Sequence, residues 1–257
     1  MIALIDSHSH FDAGEFDSDR AAVLERARNA GVTRQILPAI AVSGFPKLRD
    51  LCRTEPGLHP AYGLHPMYLA EHEPAHLDEL AEWIERERPV AVGECGLDFF
   101  IENLDPDLQY EYLDRQLELA SEFDLPVILH ARRAFDEIAA AIRRVGGLRG
   151  VVHSFSGSEE QARQLWKLGF HLGIGGPVTY ERAKRLRAIV ASMPIEFLLL
   201  ETDSPDQPLA HHRGERNEPA RLVEVLTTVA QLRGVPPEDV AAATSLNAER
   251  LFGLKDA

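Results

Sequence analysis

The sequence predicts an α/β fold in which eight parallel strands close into a (β/α)8, or TIM, barrel. Short apolar runs alternate with amphipathic segments of helical length from one end of the chain to the other. Each run is followed by a segment long enough for a crossover helix, so neighbouring strands are expected to run parallel under a cover of helices. Eight such units in 257 residues fit a barrel. Because periodicity does not separate a closed sheet from an open one, a doubly wound open sheet is the alternative.

Each predicted strand is a short run of four or five mainly apolar residues. The runs cover residues 3–6, 35–39, 59–63, 90–94, 126–130, 150–153, 170–173 and 197–201. The helical pattern between them covers residues 18–30, 45–54, 75–87, 106–123, 134–145, 158–168 and 180–192. A polar loop at 202–218 precedes two further predicted helices, at 219–233 and 237–250. No linker or repeat divides the pattern, so residues 1–257 are expected to form a single domain.

Charge and composition restrict the class of partner. Lys and Arg number 27 against 41 Asp and Glu, which gives a formal net charge of −14. A molecule of this charge repels a polyanion, which argues against a broad basic face for nucleic acid, although divalent cations bound in one cleft can reverse the local potential. With 45% hydrophobic and 26% charged residues, the composition argues against a disordered, collagen-like or disulfide-scaffold chain.

The sequence lacks the patterns of exported and membrane proteins. Residues 1–5 are apolar, but the polar residues 6–8 interrupt them well before the length of a signal-peptide core. No stretch reaches the roughly 18 apolar residues that a membrane span needs. Cys52 and Cys95 form neither a CxxC pair nor a disulfide framework, which favours packed thiols in a reducing compartment. We expect a cytoplasmic monomer with no membrane partner.

Two histidines at the end of the first predicted strand give the first indication of chemistry. His8 and His10 are two residues apart, so in extended backbone both side chains point to the same face. In a barrel that face is the interior, and the carboxyl ends of the strands form the mouth where active sites lie. One His-x-His motif is a weak signal, so a hydrogen-bonded histidine pair is the alternative.

Four further residues of ligand type are expected at the same height of the barrel. Glu94, His130 and His153 end the fourth, fifth and sixth predicted strands, and Asp203 follows the eighth. Any one of them could simply cap a strand end or the helix that follows. Together with His8 and His10 they make six such residues at the mouth-facing ends of five strands, and this number predicts a metal site. Four imidazoles and two carboxylates exceed the needs of one tetrahedral ion and suffice for two if one carboxylate bridges. Such ligands suit Zn²⁺, Mn²⁺ and Fe²⁺, and Mg²⁺ less well.

These residues fall in motifs that resemble the TatD family of metal-dependent hydrolases, within the amidohydrolase-like metallo-dependent barrels. The resemblance covers nearly the whole chain, from residue 2 to about residue 252. The matching stretches are DSHSHF at 6–11, GLHP at 63–66, GECGLD at 93–98, PVILHAR at 126–132, HSFSG at 153–157, ETDSP at 201–205 and RNEP at 216–219. Together they look most similar to the YjjV-like branch of the family.

The resemblance implies a site with two divalent ions that share Glu94. One ion would be held by His8, His10, Glu94 and Asp203, the other by Glu94, His130 and His153. The better-known members are nucleases with 3′ to 5′ exonuclease activity, so the resemblance implies a deoxyribonuclease that acts on DNA ends.

We expect hydrolysis by a metal-activated water at this site, with Glu94 and Asp203 as catalytic residues. Asp203 would orient the water and accept its proton. The alternative is a hydrolase of a small ester, amide or lactone with the same two ions, because a fold does not determine a substrate. A metal-binding interaction protein without catalysis is a third possibility, and the presence of an acid able to act as base weighs against it.

Further residues near the predicted ligands have both a functional and a structural interpretation. His65, at the end of the third predicted strand, and Arg132, shortly after the fifth, are candidates to contact a substrate phosphate. The structural alternative for His65 is a strand-end position set by the backbone geometry of Pro66. The structural alternative for Arg132 is a salt bridge with a neighbouring acid. Glu201 shares its parity with Asp203, so it is expected one layer deeper, hydrogen-bonded to a ligating histidine.

The loop after Asp203 departs from the family pattern. Many members place an aromatic residue and Leu after Thr-Asp-x-Pro, whereas this chain has Asp-Gln-Pro at 206–208, with His211 and His212 shortly after. Since the loop should border the substrate, the departure concerns substrate class and not the metal site. Residues 216–218 are expected to lock the loop to the barrel, and Asp98 to orient a loop or a ligand.

Overall fold

The computed structural model describes residues 3–254. Within this range strands and helices alternate along the chain, as the sequence predicts. The strands are β1 (Leu4–Asp6), β2 (Val32–Pro38), β3 (Leu58–Tyr62), β4 (Ala91–Asp98), β5 (Val127–Arg132), β6 (Gly150–Val152), β7 (Phe170–Ile174) and β8 (Leu198–Leu200). The helices are α1 (Arg20–Asn29), α2 (Phe45–Thr54), α3 (Ala75–Glu87), α4 (Pro106–Glu122), α5 (Phe135–Val145), α6 (Glu159–Lys167), α7 (Lys184–Ser192), α8 (Leu222–Arg233) and α9 (Pro237–Phe252). No helix in the described range is long and apolar enough to cross a membrane.

The strands form one parallel sheet whose order in space is their order along the chain. Backbone hydrogen bonds bridge the gap between its first and last strands. Ser7 donates to the Leu200 carbonyl at 3.0 Å, and Asp203 donates to the His8 carbonyl at 2.9 Å. The sheet is therefore a nearly closed barrel with helices between the strands, which confirms the predicted fold and excludes the open doubly wound sheet.

Alternate residues of most strands face two different apolar layers. Val127 and Leu129 of β5 pack in the layer between sheet and helices, whereas Ile128 packs in the barrel interior. At the amino ends of the strands, Leu251 and Phe252 of α9 pack against this interior layer. The interior layer takes its strand residues from Ile5, Ile36, Ala61, Ala91, Ile128, Val151 and Leu199. Because apolar side chains fill that end, the space for a polar site lies at the carboxyl ends of the strands.

Strands β4 and β5 continue beyond the residues that the sequence predicts as their ends. The fourth predicted strand stops at Glu94, but β4 continues to Asp98, and its ladder pairs Gly96 with His130 and Asp98 with Arg132. The extension depends on Gly96, which has a φ of +146° and where a Cβ would lie 2.0 Å from the His130 carbonyl oxygen. Glu94 and His130 therefore lie within their strands and not at the ends.

Polar contacts fix the loop at 202–218 to the barrel, as predicted. Arg216 donates to both carboxylate oxygens of Asp19, at 2.9 and 2.7 Å. The buried side-chain amide of Asn217 donates to the Thr202 carbonyl at 2.9 Å. These contacts fasten the end of the loop to the residue before α1 and to the beginning of the loop, two residues after β8.

Candidate metal centre

A cavity of about 340 Å³ lies at the carboxyl ends of the strands. The alternation of strand side chains directs ligand-type residues into it, because His130 and His153 each follow an interior residue, Ile128 and Val151, by two positions. The structure brings the six predicted ligands together here, with His8 fully buried at the base. They are His8, His10, Glu94, His130, His153 and Asp203.

Glu94 lies at the centre of the cluster, and its two carboxylate oxygens face different histidines. Oε2 lies 3.1 Å from Nε2 of His8 and 3.4 Å from Nε2 of His10. Oε1 lies 2.7 Å from Nε2 of His153 and 3.1 Å from Nδ1 of His130. The side chain is 1% exposed. One buried carboxylate thus separates two sets of potential ligand atoms.

Asp203 completes the set on the Oε2 side of Glu94. Its Oδ1 lies 3.5 Å from Nε2 of His8 and 3.6 Å from Nε2 of His10. Its φ is +55°, a left-handed conformation that Asp adopts more readily than most residues. The other oxygen, Oδ2, accepts a hydrogen bond from the side-chain amide of Gln207. The loop therefore fixes the second oxygen of this carboxylate.

Hydrogen bonds on the far side of two rings determine which nitrogen is free to bind a metal. His10 donates from Nδ1 to the Pro38 carbonyl at 3.2 Å, so the neutral form of its ring has its lone pair on Nε2. His130 donates from Nε2 to Oδ2 of Asp98 at 2.9 Å, so the neutral form of its ring has its lone pair on Nδ1. Both free nitrogens face Glu94. An acceptor behind the ring is the arrangement that fixes the tautomer of metal-binding histidines.

His8 and His153 form the inner part of the cluster. Their rings stack with centroids 3.9 Å apart and an interplanar angle of 10°. Nδ1 of each ring has no hydrogen-bond partner among residues 3–254, and neither has Oε2 of Glu201. His8, His153 and Glu201 together have the spacing of a ligand group. Glu201 thus lies one layer deeper, as predicted, but its Oε1 is 3.9 Å from Nδ1 of His153, too long for the predicted hydrogen bond.

Burial and the mutual attraction of opposite charges set the protonation of the cluster. Burial alone raises the pKa of Glu94, but the surrounding histidines outweigh it and hold that pKa well below its usual range. Burial lowers the pKa of His153, yet the Glu94 carboxylate more than reverses this and raises it to about 10. Burial also raises the pKa of Glu201 to about 8. Protons on histidines thus compensate Glu94, a role that a metal cation takes over when it binds.

The donor atoms fit a divalent cation. Nε2 of His8 and Nε2 of His10 lie 3.2 Å apart, and two nitrogen lone pairs at this distance repel each other unless a proton or a cation lies between them. Beside them, Oε2 of Glu94 is buried and has no hydrogen-bond partner in the described part of the chain. His8, His10 and Glu94 have the mutual spacing of metal ligands. Imidazole with carboxylate is the donor set of Zn²⁺, Mn²⁺ and Fe²⁺ sites.

The two predicted substrate-binding residues lie in different places. His65 contacts Glu94 directly: its Nε2 lies 2.8 Å from Oε1, while its Nδ1 accepts the backbone N–H of Met67 at 3.1 Å. Burial lowers the pKa of His65 to about 4, so the ring is neutral, and with Nδ1 as acceptor the proton is on Nε2. His65 therefore donates to Glu94. Arg132 lines a neighbouring cavity, with its guanidinium carbon 3.6 Å from the ring centroid of Phe100.

Some contributors to the site are not evident from the sequence. No sequence motif marks the Pro38 carbonyl as the partner of His10 or the Gln207 amide as the partner of Asp203. Buried Asp6 accepts hydrogen bonds from the backbone N–H and the hydroxyl of Thr202, at 2.9 and 2.6 Å, and so joins the first and last strands below the site. Asp98 does carry a signal, its place in GECGLD, and it orients both a ligand and the following loop, since its Oδ1 accepts backbone N–H groups of residues 100 and 101.

A (β/α)8 barrel with four histidines and two carboxylates at the carboxyl ends of its strands has the architecture of a metal-dependent hydrolase. The model of the family described as TatD related DNase matches residues 5–253. The chain belongs to the TatD family, as its motifs predict.

Individual relatives agree with this assignment over nearly full length. The chain is 42% identical over 254 residues to YjjV of Escherichia coli K12, named as an uncharacterized metal-dependent hydrolase, with 97% of this chain and 98% of the relative covered. It is 36% identical over 261 residues to the 3′-5′ ssDNA/RNA exonuclease TatD of Cronobacter sakazakii, with 99% of each covered. The crystal structure of E. coli YjjV superposes with a TM-score of 0.96 at 40% identity, covering 99% of this chain and 100% of that one.

Proposed function

We propose that the protein is a hydrolase with two divalent metal ions that cleaves phosphodiester bonds at the ends of nucleic acid strands. The observation that carries the proposal is the position of Glu94, whose two oxygens face separate sets of ligand atoms. The set around Oε2 comprises His8, His10 and Asp203, and the set around Oε1 comprises His130 and His153. A relative named as a 3′-5′ ssDNA/RNA exonuclease supports the choice of substrate.

The residues of the site have distinct roles in this proposal. Bound divalent ions supply Lewis-acid chemistry, because they lower the pKa of a water and polarise a phosphoryl oxygen. Asp203 orients the attacking water and accepts its proton. Burial raises the pKa of Asp203, which favours proton acceptance near neutral pH. Gln207 holds Oδ2 of this carboxylate, and His65, a neutral donor, holds Oε1 of Glu94.

A second candidate substrate class follows from the acidic wall of the cavity. Asp12, Glu15 and Asp206 line it together with the ligands, and the whole chain has a net charge of −14. Negative charge at the entrance disfavours a polyanion and favours a small uncharged substrate. Hydrolysis of a small ester, amide or lactone by the same centre is therefore the second candidate.

Product analysis distinguishes the two candidates. Metal-depleted protein is reconstituted separately with Mg²⁺, Mn²⁺ and Zn²⁺ and given end-labelled single-stranded DNA, end-labelled RNA and a panel of small esters, amides and lactones. Stepwise shortening of a strand supports the nuclease, and turnover of small substrates alone supports the second candidate. No turnover of any substrate by protein shown to contain two ions would refute both.

The variant Asp203→Asn tests the proposed base. It keeps the shape of the side chain and removes its ability to accept a proton, so we expect turnover to fall by about 10²- to 10⁴-fold. Metal content, measured by mass spectrometry, should remain substantial because five of the six predicted ligands are untouched. Asp105→Asn, at the N-cap of α4, makes the same chemical change away from the cluster and serves as the control. Full activity in the Asp203 variant would contradict the assignment.

A further inference from the structure

A second cavity, of about 470 Å³, lies at the same end of the barrel and holds an unusual group of arginines. We name it the arginine cavity after the residues that characterise it: Phe100, Arg132, Arg133, Ser156 and Arg185. It adjoins the metal centre through the chain, because Arg132 follows His130 by two residues on β5 and Ser156 follows His153 by three.

The three arginines of this cavity lack acidic partners. No carboxylate oxygen of residues 3–254 lies within 4.0 Å of the guanidinium nitrogens of Arg132, Arg133 or Arg185. Two acids, Asp136 and Glu137, also line the cavity, and the Asp136 carboxylate accepts a hydrogen bond from the side-chain amide of Gln161 at 2.9 Å. The three arginines outnumber these two acids, so in a protein of net charge −14 the cavity is a local site of net positive charge.

Phe100 organises two of these arginines. Its side chain is 45% exposed, among the most exposed large apolar side chains in the described range. The guanidinium carbons of Arg132 and Arg133 lie 3.6 and 4.7 Å from its ring centroid. Stacking on an aromatic ring restricts a guanidinium without using its N–H groups, which stay available to an anion.

Arg185, which lines the same cavity, is held by a backbone contact. It is the second residue of α7, and its Nη2 donates to the Ser156 carbonyl at 2.9 Å. The remaining guanidinium N–H groups have no carboxylate to bind in the described part of the chain. Planar guanidinium groups that converge on one space match the oxygens of a phosphate.

We propose that the arginine cavity binds a backbone phosphate of a single-stranded nucleic acid while another phosphate of the same strand is hydrolysed at the metal centre. The proposal rests on the proposed nuclease function and specifies its substrate as a strand with several phosphates. It also explains how a polyanion could bind beside the acids that line the metal cavity, because attraction to a neighbouring positive site offsets repulsion at the entrance. A cationic groove with an exposed aromatic ring is the usual means of holding a single strand.

The test compares substrates that carry one and several phosphates. Arg133→Gln/Arg185→Gln removes two charges from the cavity, and Arg143→Gln/Arg250→Gln removes two from exposed arginines on α5 and α9 as the matched control. Neither pair includes a predicted metal ligand. The substrates are short single-stranded DNA, RNA of the same sequence, and bis(4-nitrophenyl) phosphate, which has a single phosphodiester.

We expect the cavity variant to lower kcat/KM for the strands, relative to the small diester, by at least about tenfold, because the loss of even one charge-assisted hydrogen bond has about that effect. The plot of log kcat/KM against log salt should become less steep by about 0.7 for each phosphate that the protein no longer neutralises. The control pair should leave the ratio and the slope at their wild-type values. An unchanged ratio and slope in the cavity variant would refute the proposal.

A binding measurement separates failure of this proposal from failure of the proposed function. Fluorescence anisotropy of a labelled strand with metal-depleted protein reports the arginine cavity without turnover. Binding weakened in the cavity variant, with no hydrolysis of any phosphodiester by the wild type, would support the cavity and refute the nuclease. Hydrolysis of strands by the wild type, with equal binding by both variants, would support the nuclease and refute the cavity. The DNA and RNA arms show which strand it holds.

Discussion

Asp98→Asn is expected to damage one half of the metal centre while leaving its other half intact. Asp98 accepts the Nε2–H of His130 on Oδ2 and backbone N–H groups on Oδ1. An asparagine keeps its oxygen on the backbone groups, so its NH₂ faces His130 and two donors oppose each other. His130 then has to move its proton to Nδ1, and the nitrogen facing Glu94 loses its lone pair.

The expected loss of metal affinity follows from removing the Asp98 oxygen that accepts a hydrogen bond from the ligand His130. Such changes typically weaken metal affinity by about 10- to 100-fold, or about 1.4 to 2.7 kcal/mol. In the two-ion centre that we propose, the effect should be confined to the ion next to His130 and His153. Since His10 is oriented by the Pro38 carbonyl and not by Asp98, the other ion should bind as in the wild type.

The assay is a Zn²⁺ titration of metal-depleted protein in competition with a chromophoric chelator. One binding step should weaken in Asp98→Asn, and Asp105→Asn, the same substitution at the N-cap of α4, should leave both unchanged. Nitrogen chemical shifts of His130 provide an independent measure, because they show which ring nitrogen is protonated. Two unchanged binding steps, with the proton of His130 still on Nε2, would refute the reasoning.

Three further predictions concern stability, pH and the loop. In Gly173→Ala the new Cβ would lie 2.0 Å from Oε2 of Glu201, so denaturation should show a loss of about 1–3 kcal/mol, whereas Gly44→Ala, with open space, should change little. Because the Glu94 carboxylate outweighs burial and raises the pKa of His153 to about 10, metal binding at neutral pH must displace a proton. Affinity should therefore rise with pH, by about tenfold per unit for each proton released, and calorimetry in buffers of different ionisation enthalpy should detect that proton; no proton release would contradict the prediction. Gln207→Glu places a second carboxylate beside Asp203, so the acidic limb of the pH–rate profile should move to higher pH, and an unmoved limb would argue against contact between these side chains.

Much of the fold and of the ligand set is readable from local patterns. Side chains of a strand alternate between two faces, so the apolar Ile128 and Val151 fix the direction of His130 and His153. The same parity places Glu201 and Asp203 on one face of the last strand. Parallel strands joined by helices bring these faces together at one end of a barrel, so the sequence alone determined where most of the ligands meet. Glu94 is the exception, because it shares its parity with Val92 of the outer layer, and the register shift between Val92 and Cys95 turns it inward.

The partners of those ligands depended on tertiary structure. His10 is oriented by Pro38, 28 residues away, and His130 by Asp98, 32 residues away. Both contacts depend on the register between strands, including the continuation of β4 to Asp98, which the apolar pattern did not show. The alternation of a strand specifies the face on which a side chain lies, but the distance between side chains of different strands is set only when the barrel packs.

For the same reason the arginine cavity is absent from the linear pattern. Phe100, Arg133 and Arg185 come from the loops after β4 and β5 and from α7, and no spacing along the chain connects them. The sequence determined which residues can bind a cation at the end of the barrel. The tertiary structure decided their tautomers, the two faces of Glu94 and the arginines beside them, because each depends on atoms that folding brings from distant parts of the chain.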